Sequence, residues 1–94
     1  MQHPKVSRFL YTAWFQDALV EPDDEDFEWP ACFLVTASSM EAAQHWGDHL
    51  SDSFSRRRES ERFLRSSVEI ATASTQDLPV VVDGYEATDG EIGW

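Results

Sequence analysis

Two histidines, His45 and His49, stand four residues apart in the segment QHWGDHLSD of a 94-residue chain. On a helix this spacing is about one turn, so both imidazoles project from one side and could share a metal ion, with Asp52 as a third ligand. The residue after His45 is Trp46, not the glutamate that an HExxH zinc site needs as its base. The alternative is two polar helix residues that interact with Asp48 and Asp52. Three plausible donors on one helix do not make a coordination site, so no metal and no cofactor is expected.

Nucleophilic chemistry is equally thin. Ser51 and Ser53 lie close to the histidines in sequence, but neighbours on one helix do not converge as a nucleophile and its base must. Cys32 is the single cysteine, so the chain has no internal disulfide and no multi-cysteine metal site. It falls within ACFLV, where a thiol packs as a small hydrophobe. No phosphate-binding glycine loop and no dinucleotide fingerprint occurs. Catalytic residues are unknown, and an enzyme has no support in the sequence.

Charge is distributed unevenly. Eighteen acidic residues against seven basic ones give a formal net charge of -11. Residues 17–28 hold seven acids and no base, residues 74–94 five acids and no base, and five of the seven bases fall between Arg56 and Arg65. Asp23, Asp24, Glu25 and Asp26 are contiguous, unlike the spaced ligands of a calcium loop. The cluster Asp83, Glu86, Asp89 and Glu91 also lacks that spacing, and both read as solvated charge. The segment RRRESERFLR offers phosphate contacts and Phe63 a stacking surface, but Glu59 and Glu61 interrupt it and the whole chain repels a polyanion. Direct binding of nucleic acid or of an anionic membrane is not expected. No apolar stretch could serve as a signal or a spanning helix, and cytoplasmic residence is the default.

The elements that must position these residues follow from periodicity. From Arg8 to Gln16, Phe9, Tyr11, Ala13 and Phe15 alternate with Leu10, Thr12, Trp14 and Gln16, which predicts a strand with large groups on both faces. One face is expected to meet a helix and the other a partner. A second strand is predicted over Trp29 to Thr36, with Pro30 at its start where a missing N–H is tolerated. Ser38 and Glu41 have capping-box spacing, and Ala43, Gly47, Leu50 and Phe54 form a helical stripe that Met40 and Trp46 widen. Gly47 then marks a close approach of helix to sheet, Asp48, Ser51, Asp52 and Ser55 point to water, and Arg56 to Arg58 suit the helix C-terminus. A third strand is predicted over Phe63 to Thr72 and a short fourth over Leu78 to Val82, followed by an irregular tail, 83–94, anchored by Tyr85, Ile92 and Trp94.

The sum is one small α+β domain spanning 1–94, with an acidic connection at 17–28. Its small, mainly antiparallel sheet of three or four strands is covered by one principal helix, and a truncated or variant ferredoxin-like fold is one form of it. The leading functional expectation is a noncatalytic protein-interaction domain that self-associates as a homodimer. Trp14, Phe27, Trp29 and Trp94 are the interface candidates, because tryptophan joins a large apolar area to one polar donor. Two alternatives stand beside it. One is an acidic inhibitor or immunity-type protein that binds a basic partner through 17–28, with Phe27 and Trp29 as anchors; the other is a small metal-binding protein or enzyme built on His45 and His49.

Overall fold

The structure is a computed structural model that describes residues 6–17, 28–58, 61–72 and 77–92. Phe27 and Trp94, and most of the acidic connection, lie outside the described residues. The elements run β1 (Ser7–Asp17), β2 (Glu28–Ala37), α1 (Met40–Arg56), β3 (Glu61–Ile70), β4 (Val80–Val82) and α2 (Asp89–Ile92). They form a four-stranded sheet in the order β3-β1-β2-β4, packed on one principal helix.

β1 pairs antiparallel with both β2 and β3, and β4 pairs parallel with β2. β2 and β3 therefore run the same way, with β1 filling the gap between them, so α1 is the crossover of a split β-α-β unit. The order β-β-α-β-β-α shares that unit with a ferredoxin-like fold but not its two substantial helices.

The alternation of β1 works as predicted. Phe9, Tyr11, Ala13 and Phe15 are buried, and their neighbours Leu10, Thr12, Trp14 and Gln16 are half-buried on the opposite face. Opposite them on β2, Trp29, Ala31, Phe33 and Val35 share the helix-facing side. On β3 a register shift between Trp14 and Phe15 passes over Leu64, which pairs Phe63 with Phe15 and Arg65 with Trp14. A bulge of this kind re-aims side chains. It sends Phe63 to the core and leaves Arg65 on the far face.

α1 begins one residue later than the Ser38–Glu41 spacing suggested. Ser39 is the N-cap; its backbone is extended, with φ -153 and ψ 163, and its hydroxyl accepts from the Ala42 N–H at 3.0 Å. Ala43, Gly47, Leu50 and Phe54 are buried as expected, whereas Met40 is exposed. Gly47 does lie where helix meets sheet, since a Cβ there would collide with the Tyr11 ring. At the other end Arg56 pairs with Asp52 at 2.9 Å, Arg57 caps the helix and Arg58 lies over the Phe54 ring at 4.7 Å. The third strand starts at Glu61, two residues before Phe63. The tail holds one turn of helix not foreseen, α2, whose Ile92 reaches the core. Thr88 and Glu91 cap it reciprocally: the Thr88 N–H donates to Glu91 Oε1 at 2.9 Å and the Glu91 N–H to Thr88 Oγ1 at 3.2 Å.

Candidate interaction face

α1 lies on one side of the sheet only. On that side the aromatic core is continuous, with Phe15 in ring contact with Trp29, Phe54 and Phe63 at centroid distances of 4.9, 5.2 and 5.8 Å. A polar cluster sits at the seam between β1, α1 and β3. The Tyr11 hydroxyl donates to Asp48 Oδ1 at 2.7 Å and lies 3.2 Å from Ser51 Oγ. The Ser66 hydroxyl donates to the same Asp48 oxygen at 2.5 Å and receives the Gln44 amide at 3.1 Å. Ser51 is completely buried and Asp48 half-buried, so neither points freely to water as their polarity had suggested. The signal was in the strand: a tyrosine on a core-facing position brings a hydroxyl that needs partners, and the nearest helix must supply them. Burial, the largest effect, holds the Tyr11 phenol far above its ordinary pKa of 10.0, and the nearby Asp48 carboxylate acts in the same direction. Tyr11 is thus a permanent donor. The geometry of the cluster fixes the helix on the sheet.

The opposite face carries Arg8, Leu10, Thr12, Trp14 and Gln16 from β1 and, across the ladder, Thr36, Leu34, Cys32, Pro30 and Glu28 from β2. β4 adds Val80 and Val82, which pair with Leu34 and Thr36, and β3 adds Arg62, Arg65, Ser67 and Glu69. Neither described helix packs here. α1 buries its stripe on the other side, and Ile92 of α2 joins that same core. At the centre, Thr12 Oγ1 lies 3.6 Å from Cys32 Sγ. Towards one end the Arg65 guanidinium lies 5.2 Å from the centre of the Trp14 ring and pairs with Glu28 at 2.9 Å, so Trp14 is held by a cation on its ring.

The other interface and metal candidates are placed differently. Trp29 faces the helix, stacks on Phe15 and donates its indole N–H to Glu61 at 2.8 Å, which ties it to the domain's own core. His45 is exposed on α1. His49 stacks on Trp46 with ring centroids 4.7 Å apart and approaches Glu86 at 3.6 Å, while Asp52 is engaged by Arg56. Among the described residues no three His, Cys, Asp or Glu side chains come together as a metal site. Trp46 also donates to the Tyr85 carbonyl at 2.9 Å, which ties the turn after β4 to the helix. An open cleft of about 230 Å³ lies beside β2, lined by Pro30, Ala31, Cys32, Pro79 and α2. It adds no charged side chain beyond Glu91, which already caps α2. Among the described residues no helix is long and apolar enough to cross a membrane.

The chain matches no protein-family model, no curated protein and no solved structure. Function therefore rests on the geometry alone.

Proposed function

We propose that this protein is a noncatalytic interaction domain that associates with itself. The observation that carries the reading is the asymmetry of the sheet: α1 covers one face, while the other carries the half-buried Leu10, Thr12, Trp14 and Cys32 with no described helix on it. A sheet with apolar groups on both faces is stable in water when both are covered, and a second subunit is one way to cover the outer one. Nucleic acid is disfavoured as a partner by the net charge of -11 and by the engagement of Arg56, Arg58 and Arg65 within the domain. A cytoplasmic setting accords with a single cysteine, which needs no oxidising compartment.

Sedimentation velocity from 1 to 200 μM, in buffer with 0.5 M salt to suppress charge repulsion, tests the reading. A dimer is the expected species. A monomer throughout that range refutes self-association.

A further inference from the structure

Resting on the self-association just proposed, we infer that two copies join edge to edge through β3, antiparallel about a two-fold axis at Ser67, so that Arg65 of each copy faces Glu69 of the other. β3 pairs with β1 on one side, and among the described residues no strand pairs with it on the other. The ladder fixes where its backbone groups point. The Ala71 N–H donates to the Arg8 carbonyl at 3.4 Å, so Glu69 and Ser67, at alternate positions back along the strand, also turn their groups towards β1. Ser66, Val68 and Ile70 therefore turn theirs outward. The strip is accessible too, since Arg65, Ser67 and Glu69 are exposed and Ile70 is 69% exposed. The free stretch of β2 differs. There the Leu34 N–H donates outward to the Pro79 carbonyl at 2.8 Å, so Pro30, four residues earlier, also faces outward and has no N–H to give. Proline blunts that edge, whereas residues 65–70 of β3 hold no proline and no lysine.

Charge within the strand itself selects both the occupant and the register. Across an antiparallel edge only residues that turn their groups the same way can pair, so the two-fold axis must pass through a residue. An axis at Arg65 or at Glu69 sets like charges directly opposite, which is destabilising. An axis at Ser66 or Val68 sets both charges opposite neutral residues. At Ser67 two Arg65–Glu69 pairs flank the axis, Ser66 of each copy exchanges N–H···O bonds with Val68 of the other, and the exposed Ile70 comes beside Leu64 of the second copy. Arg65 already holds Glu28 at 2.9 Å, and its guanidinium keeps donors for a second carboxylate. A strand that carries its own complement fits a second copy of this chain. The helices leave room for it: Gly47, where α1 meets the sheet, lies against Tyr11 of β1. In the joined sheet the two copies of β1 are three strand spacings apart, about 14 Å, and helices about 10–12 Å across fit side by side above them.

Cysteine placed at the axis reads the register. Directly opposed residues that do not exchange hydrogen bonds have Cα atoms about 4.5 Å apart, within reach of a disulfide. In a Cys32→Ser background, Ser67→Cys should therefore form disulfide-linked dimers under mild oxidation at least tenfold faster than Glu69→Cys, whose two thiols lie four residues apart along the paired strands. In the wild-type protein, hydrogen exchange of the peptide 64–70, followed by mass spectrometry, should slow at least fivefold between 1 and 200 μM. Glu69→Arg should weaken the dimer at least fivefold at about 0.15 M salt, where charges a few ångströms apart still interact, and adding Arg65→Glu should restore it. A dimer in which the two cysteine variants cross-link at the same rate, or in which 64–70 gains no protection, overturns the β3 edge but leaves self-association through another surface standing. A wild-type monomer overturns both, and if Cys32→Ser does not fold, the exchange of the wild-type protein decides the edge.

Discussion

The two faces of this sheet are built from the same strands, one residue out of step, yet they do different work. The helix-facing row, Phe9, Tyr11, Ala13 and Phe15, is buried under α1 and holds the fold together. The opposite row, Leu10, Thr12, Trp14 and Gln16, is half-buried and touches no described helix. Composition hardly distinguishes the rows, since each carries large apolar groups. The helix decides, because α1 offers small residues, Ala43 and Gly47, where the sheet must come close and Phe54 where there is a gap to fill.

The largest test of this contrast removes a ring from each row. Phe15→Ala should lower stability by about 3–5 kcal/mol, because Trp29, Phe54 and Phe63 lose a shared neighbour and a cavity remains. Leu10→Ala on the open face should cost the monomer about 1 kcal/mol or less, since a half-buried side chain returns little area to water. Urea denaturation at a concentration where both variants are monomeric gives the two values. Equal losses would mean that the open face is covered within the subunit, and the contrast would fail.

A second comparison concerns Gly47. Alanine at an ordinary helix position gains about 1 kcal/mol over glycine. Here the new methyl would meet the Tyr11 ring, and overpacking costs about 1–3 kcal/mol. Gly47→Ala should therefore destabilise on balance. A stabilised variant would show that the ring can move aside and that the helix is less tightly seated than its contacts indicate.

Tyr11 separates the faces by pH. Its folded-state pKa is raised by burial, so at pH above about 10 the unfolded chain releases a proton that the folded one keeps. Stability from this group is complete below pH 10 and falls as pH rises beyond it, by up to about 1.4 kcal/mol per pH unit. Tyr11→Phe should remove that slope while itself costing about 1–3 kcal/mol at neutral pH, since Asp48 and Ser51 lose a buried partner. Denaturation midpoints between pH 8.5 and 11.5 decide it: a slope unchanged in the variant would assign the alkaline loss to another group.

The sequence made the strands and the helix stripe visible because apolar periods of 2 and 3.6 are set by the backbone itself. It hid features that depend on pairing. The β3 bulge at Leu64 arises from register against β1, and nothing local in ERFLRSSVEI marks it. Ser51 looked solvent-facing because a serine on the flank of an apolar stripe is usually wet, and only the hydroxyl of Tyr11, 40 positions away, draws it inward. Two other differences are local. Ser38 and Ser39 compete for the same cap, and Thr88 with Glu91 carried capping-box spacing that predicts a helix start. Of the candidate interface, Trp14 was legible from alternation. Its anchoring by Arg65 was not, because that contact crosses from β3.

The smallest expected effect probes that anchor. The Arg65–Glu28 pair is exposed at both ends, so its contribution to monomer stability is about 0–1 kcal/mol. Arg65→Ala should thus leave the denaturation midpoint nearly unchanged while freeing the Trp14 ring, because Trp14 faces away from α1 and the helix does not hold it. Acrylamide quenching in the monomer should rise for one of the four tryptophans, and a Trp14→Phe background identifies which. The same substitution separates fold from association: a loose Trp14 must be ordered again when the second subunit binds, so dimerisation should weaken several-fold although folding does not. If dimerisation is unaffected, Trp14 belongs to the rim of the contact and the binding energy resides nearer Leu10 and Cys32.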